Sequence, residues 1–92
     1  MNTDFSPLCK KRLASLKTKN RVLFNKTTKQ LKLFQLRPDH PSLRLHKLSG
    51  KLEDTWSLSI TRSIRMVFYY RIVQEEKRAV FITIGTHDEV YK

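Results

Sequence analysis

Cysteine, glycine and proline are all scarce in this sequence. Its 92 residues include one cysteine, two glycines and three prolines. A single cysteine forms no internal disulfide, and Cys9 stands in neither a Cys-x-x-Cys motif nor a metal-ligand spacing. We therefore expect Cys9 to be a small apolar residue on a helix face. So few glycines and prolines favour an ordered chain over a low-complexity one.

Long hydrophobic runs are also missing. No segment approaches the roughly twenty apolar residues of a membrane span, and the first residues lack the apolar stretch of a signal peptide. We therefore expect a soluble, cytoplasmic protein that does not bind membranes. A chain of this length is predicted to form a single domain, 1–92, around one core.

Acidic residues are scarce as well. The sequence has eight Asp and Glu but 19 Lys and Arg, which gives a net charge of +11. Such an excess favours polyanionic partners, nucleic acid first among them. An acidic protein partner is the alternative explanation, and the two partners are compatible.

The N-terminal half predicts a short edge strand, Asn2–Phe5, followed by two helices. Ser6-Pro7 is a helix start, since it offers a hydroxyl N-cap and then proline at the first helical position. The second helix is predicted from about Arg21 to Leu36, because the residue before Pro38 is restricted to extended backbone. The apolar stripe of this helix consists of Leu23, Thr27, Leu31 and Phe34. The basic residues predicted to point outward from the first helix are Lys10, Lys11 and Arg12.

The C-terminal half predicts strands. After a turn that contains His40, alternation predicts a short strand over 43–48. A hairpin is expected over 55–70, a polar turn over 74–78, an interior strand over 79–84, and a short tail over 85–92. The fold class is therefore α+β, with two N-terminal helices packed on one face of a small, mainly antiparallel sheet. The opposite face is expected to be open and polar, and to hold the functional site.

The hairpin has a preferred register. Trp56, Leu58 and Ile60 alternate with Ser57, Ser59 and Thr61. A two-residue turn would set Ile60 against Arg65, whereas a three-residue loop, 62–64, sets Thr61 opposite Arg65 and Leu58 opposite Phe68. The second register is predicted, and it puts Arg65 on the hydroxyl-rich face.

The polar face offers two histidines and an arginine, namely His46, Arg65 and His87. The sequence contains no Ser-His-Asp arrangement, Walker loop or HExxH motif. A base, a fixed cation and an acid are the groups needed to cleave RNA by attack of the ribose 2′-OH on the phosphate. Histidine suits the two proton transfers and arginine the phosphate. Ordinary surface residues are the alternative for each histidine, and Tyr91 could simply cap the sheet edge.

Four short motifs resemble the RelE/YoeB/YafQ group of bacterial toxins. They are His46-Lys47-Leu48-Ser49-Gly50-Lys51-Leu52, Trp56-Ser57, Arg65-Met66-Val67-Phe68-Tyr69 and Gly85-Thr86-His87. The resemblance implies a microbial-ribonuclease-like fold and the toxin role of a type II toxin–antitoxin system. It also implies cleavage of mRNA on the ribosome without metal or other cofactor, and growth arrest. The implied partners are mRNA, ribosomal RNA and an acidic antitoxin, with operator DNA bound only through the antitoxin.

The resemblance also implies roles for individual residues. Arg65 corresponds to the phosphate-binding arginine, His46 to the general base, His87 to the general acid, and Tyr91 to an aromatic residue that orients the substrate. The residues expected to contact RNA are Arg44, Lys47, Lys51 and Ser59. Two departures stand out: Ser57 and Ser59 replace a pair of strand lysines of RelE, and Ser63 replaces an aspartate of YafQ-like members.

Two other functions remain open at this point. One is a ParE-like protein that poisons DNA gyrase by binding, against which the combination of His46, Arg65 and His87 argues. The other is a catalytically weak or inactive homologue that binds the antitoxin and takes part in autoregulation.

Overall fold

The protein folds into two helices, a five-stranded sheet and a short third helix. The computed structural model describes residues 1–48 and 54–91, and for Tyr91 the backbone alone. The elements are β1 (Asn2–Phe5), α1 (Pro7–Lys19), α2 (Arg21–Leu36), a 3₁₀ turn (Pro41–Leu43), β2 (His46–Lys47), β3 (Trp56–Ser59), β4 (Ile64–Val73), β5 (Glu76–Thr86) and α3 (His87–Tyr91). No helix in these described ranges is both long and apolar enough to cross a bilayer.

The two long helices begin and end where local signals place them. The Cys9 N–H donates to the Ser6 Oγ at 3.0 Å, so Ser6 caps α1 as predicted. Asn20 ends α1 and caps α2, because its side chain accepts from the Leu23 N–H at 3.1 Å. The predicted end of α2 before Pro38 is confirmed.

The sheet has the order β1-β5-β4-β3-β2. β1 runs parallel to β5, and the other neighbours are antiparallel, which confirms an α+β fold with a mainly antiparallel sheet. The predicted interior strand is the middle of β5, between β1 and β4. Asp4 and Arg78 join β1 to β5 through two hydrogen bonds of 2.7 and 2.8 Å, and these bonds lower the pKa of the Asp4 carboxyl.

The core lies between α1, α2 and one face of the sheet. Phe34 of α2 packs against Phe68 and Phe81, with ring centroids 5.2 and 5.7 Å away. Truncating a buried phenylalanine to alanine costs about 3–5 kcal/mol, so this cluster dominates stability. Cys9 is fully buried in the same core, and burial raises the pKa of its thiol to about 11, as befits an inert apolar residue.

The predicted register of the β3–β4 hairpin is wrong by two residues. Ser59, not Thr61, lies opposite Arg65, and Leu58 lies opposite Met66. The Thr61 Oγ1 accepts from the Ile64 N–H at 3.1 Å, and the Ile60 N–H donates to the Ile64 carbonyl at 2.9 Å. β3 therefore ends at Ser59, and the loop is longer than the predicted three residues. Because the shift is an even number, every side chain stays on its predicted face.

Two further predictions about strands fail for local reasons. Of the strand predicted over 43–48, only His46–Lys47 forms one. Leu43 ends a 3₁₀ turn that the His40 Nδ1 caps by accepting from the Ser42 N–H, and Arg44 adopts a left-handed φ of 47°. His40 thus belongs to the turn, as predicted. The turn expected over 74–78 is confined to Gln74 and Glu75, and β4 and β5 extend on either side of it.

The C-terminal residues form a helix, where the sequence predicted only a tail. α3 contacts β4 and β5, and its Val90 is buried. The far face of the sheet is therefore partly covered, which corrects the prediction that it is wholly open. Ser57, Val67 and Thr83 are buried on that face.

Candidate active site

Cross-strand pairing places two of the predicted catalytic residues, His46 and Arg65, on the face of the sheet opposite α1 and α2. We call it the second face. One row across it contains His46, Ser57, Val67 and Thr83, each directly opposite the next. The neighbouring row contains Ser59, Arg65 and Gly85. Directly opposite residues point to the same side of a sheet, so both rows face the same way.

A bulge in β5 makes this arrangement compatible with the core. Val67 pairs with Thr83 and Phe68 with Phe81, which leaves Ile82 as an extra residue. The extra residue inverts the alternation of β5. Phe81 and Ile84 both reach the core as a result, while Thr83 points to the second face.

Arg65 lies between the two histidines. His46 is two strands to one side, about 10 Å across and about 7 Å along the sheet by strand spacing. On the other side, Gly85 is directly opposite Arg65, and His87 follows two residues later at the start of α3. The strand order therefore places His46 and His87 on opposite sides of Arg65.

The three side chains differ in exposure. Arg65 is half-buried, whereas His46 and His87 are exposed. The His87 Nδ1 lies 3.7 Å from the Asp88 Oδ1. The Arg65 guanidinium has no hydrogen bond or ion pair to any residue within 1–48 and 54–91. Its positive charge is thus not neutralised by the described part of the protein.

The two serines that replace lysines of RelE are nearly inaccessible. Ser57 is fully buried, and its Oγ makes no hydrogen bond to the residues that the structure describes. Ser59 is 9% exposed, and its Oγ donates to the Thr61 carbonyl at 3.1 Å. Little of either hydroxyl is presented to a ligand, and RNA binding by Ser59 stays a prediction.

The remaining predicted site residues are dispersed. Lys47 lies opposite Trp56, one residue out of phase with His46, and so belongs to the other face. Arg44 is exposed after the 3₁₀ turn. Lys51 lies outside the described residues. Tyr91 ends α3, and its side chain is likewise outside the description.

Arg12 is a contact residue that the sequence did not reveal. It was predicted to point outward from α1, yet its Nη1 donates to the Thr83 Oγ1 at 2.7 Å and to the Ile84 carbonyl at 3.0 Å. β1 pairs with β5 only as far as Phe81, so the edge of β5 beyond it is free to bind Arg12. The prediction failed because helical spacing does not show where a neighbouring strand ends.

α3 is the other feature that was missed, although its signal is in the sequence. Thr86-x-x-Glu89 is a capping box, in which a hydroxyl and a carboxylate exchange hydrogen bonds with each other's backbone. The Thr86 N–H donates to the Glu89 Oε1 at 2.9 Å, and the Glu89 N–H donates to the Thr86 Oγ1 at 3.4 Å. These bonds, helped by the charge of Arg12, lower the pKa of the Glu89 carboxyl.

Within the described ranges, no group of three or more His, Cys, Asp or Glu side chains is arranged to hold a metal ion. The predicted site residues near Arg65 supply imidazoles and a guanidinium. This set transfers protons and binds anions.

No protein-family model and no curated protein sequence matches the chain. Solved structures do match it. The YoeB/ParE toxin from Agrobacterium tumefaciens superposes with a TM-score of 0.79 at 16% identity, over 95% of this chain and 99% of the other. YafQ from E. coli strain BL21(DE3) gives a TM-score of 0.70 at 16% identity, over 99% and 98%.

A third match comes from the heterotetrameric YoeB–YefM toxin–antitoxin complex from Staphylococcus aureus. Its TM-score is 0.73 at 17% identity, over 95% of this chain and 97% of the other. Sequence identities this low establish the fold, and the matches extend over nearly the whole of each chain. The protein therefore has the fold of the YoeB and YafQ toxins, and in this respect it is RelE/YoeB/YafQ-like, as its motifs predicted.

Proposed function

We propose that this protein is the toxin of a type II toxin–antitoxin system and a metal-independent, ribosome-dependent mRNA endoribonuclease. The observation that carries the proposal is the position of Arg65 on the second face, with His46 on one flank and His87 on the other. A phosphate bound at Arg65 would have an imidazole on each side.

The proposed reaction is an internal transesterification. The His46 imidazole takes the proton of the ribose 2′-OH, and the 2′-oxygen forms a bond to phosphorus. The bond from phosphorus to the 5′-oxygen breaks, and His87 gives that oxygen a proton. Arg65 stabilises the negative charge on the phosphorane, and Tyr91 orients the substrate. The products are a 2′,3′-cyclic phosphate and a 5′-OH.

The charge of Arg65 supports this assignment. A half-buried guanidinium usually has a carboxylate partner, as Arg78 has in Asp4. Arg65 has none among the described residues. Phosphate is an anion that a guanidinium binds through two parallel hydrogen bonds, so an RNA linkage fits this position.

The distribution of the other charges favours the ribosome over a free RNA strand. Residues 5–38 contain no Asp or Glu. The ten basic residues of that segment are Lys10, Lys11, Arg12, Lys17, Lys19, Arg21, Lys26, Lys29, Lys32 and Arg37. Most of them are exposed on the helices, on the side of the sheet away from Arg65. Positive charge on both sides suits a polyanion that surrounds the protein.

The same charge supports an acidic antitoxin as the second partner. The matched structures include complexes of YoeB with YefM and of YafQ with DinJ. For this chain we propose a small acidic protein that covers part of the basic surface, in the manner of a helix or strand laid into a groove.

The proposal is tested by mapping mRNA ends by primer extension after the toxin is induced. Arg65→Ala is expected to lower cleavage about 10²–10³-fold, the usual cost of removing one transition-state donor. Arg71→Ala is the matched control, because it removes an exposed arginine from the same strand, six residues away. Its cleavage is expected to equal that of the wild type.

Two results would overturn the proposal. Full cleavage by Arg65→Ala would show that the second face is not the active site. DNA breaks in induced cells whose mRNA is intact would instead identify a gyrase poison.

A further inference from the structure

β5 passes into α3 without a linker. Thr86 is the last residue of β5, where it pairs with Ile64, and His87 is the first residue of α3. The position of the His87 backbone therefore depends on the conformation of this junction. Its side chain is 69% exposed, so core packing does not hold it in place.

Two reciprocal hydrogen bonds fix the junction. The Glu89 carboxylate accepts from the Thr86 N–H at 2.9 Å, and the Thr86 hydroxyl accepts from the Glu89 N–H at 3.4 Å. A helix of five residues has little stability of its own, because it offers few internal hydrogen bonds. The burial of Val90 also holds α3 to the sheet.

The lack of a side chain at Gly85 allows the Glu89 side chain to pack against the β5 backbone. A Cβ at position 85 would lie 3.0 Å from the Glu89 Cβ and 3.3 Å from its carboxyl carbon. The Glu89 side chain thus lies against the backbone of Gly85, which is the residue directly opposite Arg65. The capping carboxylate therefore connects α3 to the strand position beside the arginine.

Arg12 fixes the strand on the other side of the junction. Its hydrogen bonds to the Thr83 hydroxyl and the Ile84 carbonyl tie the end of β5 to α1. Since α1 is anchored in the core through Cys9, the base of the junction is rigid. The part of the junction that is not tied to α1 is α3 itself.

We infer that Thr86 and Glu89 are positioning residues for the general acid: their capping box holds His87 where it can protonate the departing 5′-oxygen. This inference rests on the proposed ribonuclease function. Without the box, α3 would sample several orientations, and His87 would be correctly placed only part of the time. The loss should appear in kcat, because Arg65 and the rest of the second face still bind the RNA.

The test compares Glu89→Ala with Glu89→Gln in the full chain. Glutamine also fills this place in a capping box, because its amide oxygen accepts from the N-cap N–H. We expect Glu89→Ala to lower kcat roughly 10–100-fold with little change in KM, and Glu89→Gln to stay within about threefold of the wild type. Glu75→Ala, which removes an exposed carboxylate from the β4–β5 turn, is the control and should match the wild type.

A second substrate separates acid positioning from a general structural defect. It is a synthetic mRNA, presented on the ribosome like the all-oxygen control RNA, whose cleaved linkage has sulfur in place of the bridging 5′-oxygen. A thiolate leaves without protonation, because thiols have a pKa near 8.5. We expect this RNA to restore the rates of His87→Ala and Glu89→Ala to near that of the wild type, and not to restore Arg65→Ala.

The outcomes separate the positioning role of the capping box from the proposed ribonuclease function. If the wild type cleaves neither RNA, both fall. If His87→Ala is impaired while Glu89→Ala cleaves normally, the inference falls and the function stands. If Glu89→Ala stays impaired on the sulfur-containing RNA, its defect is not one of acid positioning, and the inference is again overturned.

Amide exchange at Val90 is a readout that does not depend on activity. We expect exchange to be faster in Glu89→Ala and unchanged in Glu89→Gln. Unchanged exchange in Glu89→Ala would contradict the capping role.

Discussion

Ser57 and Ser59 are two residues apart on β3 and point to the same face, yet their hydroxyls have different surroundings. The Ser59 Oγ donates to the Thr61 carbonyl and so helps to close the β3–β4 loop. The Ser57 Oγ is buried without a hydrogen bond among the described residues. An unsatisfied buried hydroxyl costs about 1–3 kcal/mol, whereas a satisfied one contributes about 1 kcal/mol.

Alanine at the two positions should therefore have opposite effects. Ser57→Ala is expected to leave the free energy of unfolding unchanged or to raise it by about 1 kcal/mol, because it removes an unpaired polar group. Ser59→Ala should lower it by about 1 kcal/mol. Urea denaturation of the two variants and the wild type measures both. A larger loss for Ser57→Ala than for Ser59→Ala would show that the Ser57 hydroxyl has a partner.

Among the elements, the β4–β5 hairpin shows the clearest conflict between sequence and backbone. Its two turn residues, Gln74 and Glu75, have φ of 50° and 67°. A two-residue turn with positive φ at both positions is the type that matches the twist of a hairpin, and it prefers Asn-Gly. A non-glycine residue in the left-handed region costs about 1–2 kcal/mol, so the long strands hold the turn in a strained conformation.

Replacing the turn with Asn-Gly should relieve this strain. The double variant Gln74→Asn/Glu75→Gly is expected to raise the free energy of unfolding by about 1–2 kcal/mol. Glu75→Ala is the control, because alanine keeps a Cβ at a positive φ and gains nothing. Thermal and urea unfolding test the difference. An equal gain in both variants would mean that loss of the Glu75 charge, and not backbone strain, is responsible.

For the molecule as a whole, the excess positive charge and the predicted catalytic residues lie on different sides of the sheet. The helical layer carries basic residues without a carboxylate. The opposite face of the sheet carries Arg65, with His46 two strands to one side and His87 beyond Gly85 on the other. Charges on the helices attract a polyanion without reading its sequence, because phosphate contacts position but do not specify. In the proposed reaction, the second face then cleaves the RNA linkage that reaches it.

Ribosome binding should therefore depend on salt through the helices. Lys29→Gln, on the exposed side of α2, is expected to weaken binding and to reduce the slope of log affinity against log salt by about 0.7–0.9, the effect of one lost phosphate contact. Arg71→Gln removes an equal charge from the β4–β5 hairpin and should leave the slope unchanged. Sedimentation with ribosomes between about 50 and 200 mM salt measures both. Equal slopes for the two variants would argue that the helices do not dock.

Local signals in the sequence predicted the elements that depend on them. The Ser6-Pro7 start of α1, the end of α2 before Pro38 and the apolar stripe of α2 are all confirmed. Three of the features that were not predicted correctly are the hairpin register, the contact of Arg12 and the helix α3. The first two depend on loop closure and on where β1 ends, and neither is visible in periodicity. The third had a readable signal in Thr86-x-x-Glu89.

The sequence by itself determined which side chains share a face of β3 and β4, because alternation is a property of the strand and survives a shift of two residues. It also determined the excess of positive charge. The tertiary structure alone decided that His46 and His87 lie on opposite sides of Arg65, since these residues are 19 and 22 positions from it along the chain and are brought to the same region by the order β2-β3-β4-β5. It decided as well that α3 covers part of the second face, because Gly85 leaves room for Glu89.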